Sequence, residues 1–262
     1  MLKNNVKTKL SKGQCVYGTM MQEVTTPTAA QVFERAGYDF FMLDCEHGAY
    51  NQGVVREILR VARLEGICPL VRIRSLDYSL VAGYLDAGAM GIMLPRIEHS
   101  KETQLLVDFM KYPPVGVRGL SSDAPHSDYN FGDLQEFIHW QDKNTMAIAQ
   151  IERKLAIENL EEILSVPGID AALIGPEDLS LSYGVPGQTN HPIVREAILE
   201  VIATCAKIGI ASGIHMDNID RLLEWRDEGM QMLMYNSDLG FLTGGATSGI
   251  TALKVNEDYK PQ

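Results

Sequence analysis

Along most of the chain, short apolar runs alternate with longer segments in which apolar positions recur every three or four residues. The short runs are "CVYGTMM", "DFFMLD", "CPLVRI", "GIMLPRI", "TMAIAQIE", "DAALIGP", "ASGIHM" and "MQMLMYN". Each has the length and residue types of a buried β-strand. Between them, "NQGVVREILRVARLEG", "KETQLLVDFMKY", "KLAIENLEEILSV", "PIVREAILEVIATCAKIG" and "NIDRLLEWRDEG" repeat apolar residues at helical spacing. Several stop at glycine, which takes the left-handed position past a helix end without a steric cost. Alternation of this kind is the signature of a parallel sheet covered by helices. Eight β/α units in 262 residues fit a closed (β/α)8 TIM barrel, an α/β fold of roughly 250 residues, better than an open sheet. The pattern predicts one barrel domain over residues 1–262.

One interval breaks the rhythm. Residues 112–144 carry a single short helical signal, "LQEFIHW", and are far longer than the usual connection of about 2–6 residues. The segment follows a helix and precedes a strand, so it starts on the barrel face opposite the strand C-termini. There it either wraps the barrel or reaches a neighbouring subunit. The last stretch, "GFLTGGATSGITALKVNEDYK", is a glycine-rich helical segment expected to pack late or at an interface.

Composition narrows the function classes. With 45% hydrophobic and 22% charged residues the chain has material for one large core and reads as an ordinary soluble protein. A net charge of −11 argues against nucleic acid as a partner, because phosphate binding needs a concentrated basic surface. The four cysteines lack paired spacing, and "MLKNNVKTKL" lacks the apolar core of a signal peptide. Both favour reduced thiols and a cytoplasmic address. No apolar run approaches the ~20 residues of a membrane span, so no membrane role is expected.

In barrel enzymes the reacting groups sit where strands end and βα loops begin. Strand two ends in Asp44, Glu46 and His47; strand three supplies Arg72 or Arg74; strand five ends with Gln150 and Glu152; strand six runs into "GPEDLS" with Asp178. Glu152 and Asp178, from adjacent strands, are two hard oxygen ligands suited to an octahedral divalent cation. Zinc is disfavoured, since the six histidines show no HExxH and no paired spacing. The plain alternative is a solvated strand-end acid at 152 and a turn cap at 178. The backbone amides of Glu177 and Asp178 are placed to bind a carboxylate. His47 has the pKa range for general acid/base work and Asp44 is its local carboxylate candidate; alternatively His47 is a surface or packing residue. Arg72 offers a planar fork of donors for carboxylates and enolates. The strand methionines Met20, Met21, Met93, Met216, Met232 and Met234 read as core and pocket lining.

In order along the chain, "FMLDCEHGAY", "PLVRIRSLD", "YLDAGAMGIMLPRI", "YPPVGVRGL", "AQIE", "DAALIGPEDLSLSYGVPGQTNHP" and "SDLG" resemble the HpcH/HpaI aldolases. These are metal-dependent class II pyruvate aldolases of the 4-hydroxy-2-oxoheptanedioate and 2-dehydro-3-deoxy sugar acid type. The resemblance implies a homo-oligomer, commonly a hexamer, that reversibly cleaves a 4-hydroxy-2-oxo acid to pyruvate and an aldehyde. It implies a divalent cofactor, Mg2+, Mn2+ or Co2+, on Glu152 and Asp178. It also implies pyruvate contacts from Gln150 and the backbone at Glu177 and Asp178, enolate stabilisation by Arg72, and His47 as base. Asp86 matches the aspartate that raises the histidine's basicity. It lies late in a helix near the far face of its own barrel, so it meets His47 across a subunit boundary. Asp44 and Glu46 are expected to support the water and metal shell.

Three departures bear on the aldehyde half. Glu177 stands where a small residue is common, His215 replaces an apolar pocket residue, and "TMMQEVTTP" has an extra residue and no tryptophan. Two rival functions remain at this stage: decarboxylation of oxaloacetate at the same metal–enolate site, and a non-catalytic sensor of pyruvate-like acids. A Schiff-base route is disfavoured because no lysine lies at a strand end; the nearest, Lys154, begins the next helix.

Overall fold

The computed structural model describes residues 2–121, 123–130 and 132–255. Eight parallel strands close into a barrel in chain order: β1 (Val16–Met21), β2 (Phe40–Asp44), β3 (Cys68–Arg72), β4 (Gly91–Leu94), β5 (Met146–Ile151), β6 (Ile169–Ile174), β7 (Ala211–Met216) and β8 (Met232–Ser237). The helices around it are α1 (Asn5–Leu10), α2 (Thr28–Arg35), α3 (Gln52–Glu65), α4 (Tyr78–Asp86), α5 (Ser100–Met110), α6 (Leu134–Asn144), α7 (Lys154–Glu158), α8 (Leu160–Leu164), α9 (Pro176–Ser182), α10 (Pro192–Ile208), α11 (Ile219–Asp227) and α12 (Asp238–Val255). Each strand read from the hydrophobic pattern is present, and the (β/α)8 expectation holds.

The core has two layers. Outward strand residues such as Phe41, Leu43, Val71 and Ile151 pack with the helices, whereas Phe40, Met42, Leu70, Ile148, Leu173 and Met234 fill the barrel interior. Space inside is tight: a Cβ on Gly18 would come within 2.3 Å of the Phe40 ring on the paired strand. α1 closes the strand N-terminal end with buried Val6 and Leu10. Asn4 ties this plug down, its Nδ2 donating to Met90 O at 3.1 Å and Asn144 O at 3.0 Å.

Local signals explain the helix limits. α3 starts at Asn51, whose side chain accepts from Val54 N, buries Val55, Ile58, Leu59 and Ala62, and ends at Gly66 with φ 85°. That spacing is one apolar helix face, closed by a left-handed glycine. The run "KLAIENLEEILSV" forms two short helices, α7 and α8, rather than one. Asn159 at the break has φ −105° and ψ 15°, and its side-chain amide donates to Glu98 O at 2.9 Å.

Residues 112–144 fold back onto their own chain. Arg118 is buried against the Tyr112 ring at 4.8 Å, and its Nη2 meets Asp86 Oδ1 at 2.6 Å. Arg63 of α3 reaches Asp128 at 2.8 Å, and Gln141 of α6 donates to His126 O at 2.9 Å. The segment thus wraps the far ends of α3 and α4, with α6 longer than its short sequence signal. α12 packs its first turn through Phe241 on Phe33, Tyr38 and Tyr235, then exposes Leu242, Ile250 and Leu253. The end of the expected helical segment, 256–260, lies outside the described residues.

Candidate active site

The period of two along a strand places the site. On β2, Asp44 shares the interior face with Phe40 and Met42; on β3, Arg72 follows Cys68 and Leu70; on β5, Gln150 and then Glu152 follow Met146 and Ile148. On β7, His215 follows Ala211 and Gly213. The same alternation that fills the barrel with apolar side chains therefore turns polar at the strand C-termini, where the closed core stops. A cavity of about 350 Å3 opens there, lined by Met20, His47, Arg72, Gln150, Asp178 and His215 among others. Met93 and Met216 also line it, while Met21, Met232 and Met234 are buried in the core.

Asp44 and Arg72 form the rigid floor. The fully buried carboxylate accepts from Arg72 Nε at 2.8 Å and Nη2 at 2.5 Å. It also accepts from Gln22 Nε2 at 3.2 Å and from the backbone N–H of Glu46 and His47 at 3.1 and 3.2 Å. Burial pulls the Asp44 pKa upward, but the Arg72 guanidinium and these donors hold the carboxyl below its usual range. The paired arginine is correspondingly held above its ordinary value by Asp44 against its own burial. This corrects one expectation: Asp44 is not the ring partner of His47, because it binds only that residue's backbone amide. Its two oxygens accept five hydrogen bonds in all. Arg72 Nη1 has no hydrogen-bond partner among the described residues, and Arg72 lines the cavity.

His47 is half-exposed, and its Nε2 lies 3.7 Å from Glu46 Oε2. Glu46 in turn sits 3.6 Å from Arg72 Nε and 3.2 Å from Arg96 Nε, so its charge is engaged by two arginines. Arg74 lies outside the cavity lining and reaches Tyr50 O at 3.5 Å.

Glu152 is buried beside Gln150, whose Nε2 donates to Glu152 Oε2, and Glu152 Oε1 accepts from the Arg96 backbone N–H at 2.8 Å. Burial, reinforced by the negative charges of Asp178 and Glu46, pushes this carboxyl up to about 7. Glu152 and Asp178 both border a second hollow, and Asp178 lines the first as well. Two further features fit a bound cation. Gln150 Oε1 is buried with no partner. Gly175 lacks a Cβ where one would stand 2.6 Å from Glu152 Oε2. Among the described residues no group of three or more His, Cys, Asp or Glu side chains is arranged to hold a metal ion. Glu152 and Asp178 are two carboxylates that could serve a hard divalent ion, which accepts oxygen ligands from water and substrate as well.

Glu177 and Asp178 open α9 directly after Gly175, with Pro176 at the first helical position. His215 donates from Nε2 to Asn236 O at 2.9 Å, and burial holds its pKa below the ordinary value. Asp86 is elsewhere: at the end of α4 it pairs with Arg118 and lies 3.8 Å from His126 Nε2. Within one chain it does not meet His47. Lys154, the lysine nearest a strand end, is exposed and sits 3.6 Å from Glu158.

Sequence reasoning missed several positions. Arg96 has φ 58°, a left-handed conformation costly for a residue with a Cβ, and it binds both Glu46 and Glu152; its signal was a polar residue just past strand four. Asp238 accepts from the N–H groups of Gln22, Glu23 and Val24 at 2.8 to 3.1 Å, fixing the loop after β1. Thr189 and Arg221 line the cavity from the loops after β6 and β7.

A guanidinium locked by a buried carboxylate, lining a strand-end cavity together with Asp178 and Gln150, is suited to chemistry in which negative charge develops on a substrate oxygen. The model of the HpcH/HpaI aldolase/citrate lyase family matches residues 20–243, and the chain belongs to that family. A hydroxypyruvate/pyruvate aldolase of Roseobacter denitrificans is 30% identical over 239 residues, 91% of this chain and 93% of the relative. A 2-dehydro-3,6-dideoxy-6-sulfogluconate aldolase of Pseudomonas putida is 30% identical over 245 residues, 94% and 95% of the two chains. The crystal structure of an HpcH/HpaI aldolase from Desulfitobacterium hafniense DCB-2 superposes with a TM-score of 0.93 at 33% identity, covering 97% of this chain and 98% of that one. Among the described residues no helix is long and apolar enough to cross a membrane.

Proposed function

We propose that the protein is a divalent-metal-dependent pyruvate aldolase that reversibly cleaves a 4-hydroxy-2-oxo acid, such as a 2-dehydro-3-deoxy sugar acid, into pyruvate and an aldehyde. The observation that carries this reading is that the Asp44-locked Arg72, Gln150 and Asp178 line one strand-end cavity, with Glu152 beside Gln150 in a neighbouring hollow that Asp178 also lines. The relatives' names, a pyruvate aldolase and a deoxy-sulfogluconate aldolase, support it.

Glu152 and Asp178 would hold the cation, Mg2+, Mn2+ or Co2+; when bound it supplies positive charge beside the 2-oxo and carboxylate oxygens. The backbone N–H groups of Glu177 and Asp178 and the Gln150 side chain orient the 2-oxo acid. In the cleavage direction His47 takes the C4 hydroxyl proton at a ring nitrogen, directly or through water. The C3–C4 electron pair then passes to the pyruvyl fragment, the aldehyde leaves, and Arg72 stabilises the enolate oxygen through its free edge. Protonation of C3 completes pyruvate. Asp86 serves the His47 of a neighbouring subunit in a homo-oligomer, a hexamer, and the protein works in the cytoplasm. Its 28% exposed side chain at the end of α4 is compatible with that second role.

The test is pyruvate release from a 2-dehydro-3-deoxy sugar acid before and after chelation. Activity should vanish with chelator and return with Mg2+, Mn2+ or Co2+. Full turnover in excess chelator, or a borohydride-trapped lysine adduct, refutes the reading.

A further inference from the structure

The cavity does not end at the residues assigned to pyruvate. It continues under the loops after β6 and β7, where Thr189, His215, Asp217, Asn218 and Arg221 line it. Arg221 stands in the first turn of α11, its backbone N–H capped by Asn218 Oδ1 at 3.0 Å. Its guanidinium is held from one side only: Nη1 donates to Thr189 Oγ1 at 2.8 Å and Nη2 to Thr189 O at 3.4 Å. Thr189 is buried, so the arm is anchored, and among the described residues no carboxylate forms an ion pair with Arg221.

Other arginines bordering this site are neutralised. Arg72 faces Asp44, Arg96 faces Glu46 and Arg153 faces Glu98 at 2.7 Å. Arg221, which lines the cavity, is the one of these four with no carboxylate partner among the described residues; with Nη1 and Nη2 each giving an N–H to Thr189, the remaining N–H groups of the guanidinium, Nε–H included, are left for a carboxylate or sulfonate. His215 lines the same cavity. Its Nε2–H is spent on Asn236 O at 2.9 Å, which leaves Nδ1 of the neutral ring as an acceptor for a hydroxyl. Asp217, at the same rim, is exposed, and solvent screens its charge more than it weakens direct hydrogen bonds to Arg221.

We propose that Arg221, positioned by Thr189, is the specificity determinant for the aldehyde partner, and that the preferred aldehyde carries a carboxylate or sulfonate at the end remote from its carbonyl. The inference rests on the aldolase reading, because that reading assigns the near half of the cavity to pyruvate.

The experiment measures aldol addition of pyruvate to three aldehydes by wild type, Arg221→Leu and Arg221→Lys. The aldehydes are neutral glycolaldehyde, the carboxylate succinic semialdehyde, and the sulfonate 2-hydroxy-3-oxopropane-1-sulfonate. Pyruvate methyl-proton exchange in D2O, without aldehyde, is read on the same preparations. Arg221→Leu should raise KM for at least one of the anionic aldehydes by ~10- to 100-fold, the loss expected for hydrogen bonds to a charged group. The neutral aldehyde should change by less than about 3-fold, and Arg221→Lys should recover part of the loss. Whichever anion suffers more identifies the group recognised. Equal effects on neutral and anionic aldehydes, or no effect on either anion, with exchange intact, overturn the subsite alone. Absence of exchange in the wild type overturns the aldolase reading and the inference together.

Discussion

Replacing Asp44 by Asn tests whether the floor of the site is an ion pair or merely a polar contact. The side chains of Asp44 and Arg72 are 0% and 10% exposed, so little water is at hand to replace either partner in the pair. Asn has nearly the same shape but exchanges one acceptor oxygen for an N–H2 donor. In one orientation that donor faces Arg72 Nη2 and Gln22 Nε2; flipped, it faces Arg72 Nε and the amides of Glu46 and His47. Donor meets donor either way, and a buried guanidinium loses its counter-charge. Breaking a buried pair from one side costs about 3–5 kcal/mol, and urea unfolding of Asp44→Asn should show a loss of that size. The double variant Asp44→Leu/Arg72→Met removes both charges and should regain most of the stability, while pyruvate methyl exchange should stay slowed by ~10²–10³-fold because the guanidinium that stabilises the enolate is gone. A loss below about 1 kcal/mol in Asp44→Asn, or exchange at the wild-type rate in the double variant, refutes the reasoning.

Gly175→Ala places a Cβ 2.6 Å from Glu152 Oε2 and 3.1 Å from Gln150 Nε2; pushing the carboxylate aside by somewhat under an ångström should lower kcat by about 10²-fold with an intact fold by circular dichroism. Burial and the nearby Arg118 push His126 down to about 4. The unfolded chain then binds the proton that the folded chain refuses, so stability should fall as pH drops from about 6.5 toward 4. His126→Asn should flatten that part of a stability-against-pH curve, and an unchanged slope contradicts the assignment. Mixed oligomers of inactive Asp86→Ala and inactive His47→Ala subunits should regain activity if the two residues meet across subunits; none regained, with exchange of subunits confirmed, places the His47 partner within its own chain.

The barrel was legible because its two periods are local. A strand's alternation is visible in five or six residues, and continuing that parity one step past the apolar layer reaches Asp44, Arg72, Gln150, Glu152 and His215 without any structure. Pairing was not legible in the same way. Asp44 and His47 are three residues apart, which made them look like partners, yet the tight turn after β2 directs the His47 amide to Asp44 and leaves the ring outside. The true partner, Arg72, is opposite Asp44 in the strand register, a relation set by sheet pairing rather than by sequence distance. Arg96 offered a polar residue just past strand four, but half of its importance lies in a backbone N–H presented to Glu152 by a left-handed residue, which side-chain chemistry does not show; its side chain reaches Glu46 on another strand end. The course of residues 112–144 depended on Arg118 finding Asp86 and Asp128 finding Arg63, contacts between segments that no local period announces.

The central claim is that charge developing on a pyruvate oxygen is stabilised by Arg72 and a divalent cation on Glu152 and Asp178. Proton NMR of pyruvate in D2O measures this most directly, since loss of the methyl signal reports enolate formation without any aldehyde. With Mg2+ or Mn2+ the wild type should exchange the methyl protons, excess chelator should stop it, and Arg72→Ala should slow it by ~10²–10³-fold. Exchange that continues undiminished in chelator, or in Arg72→Ala, contradicts the account.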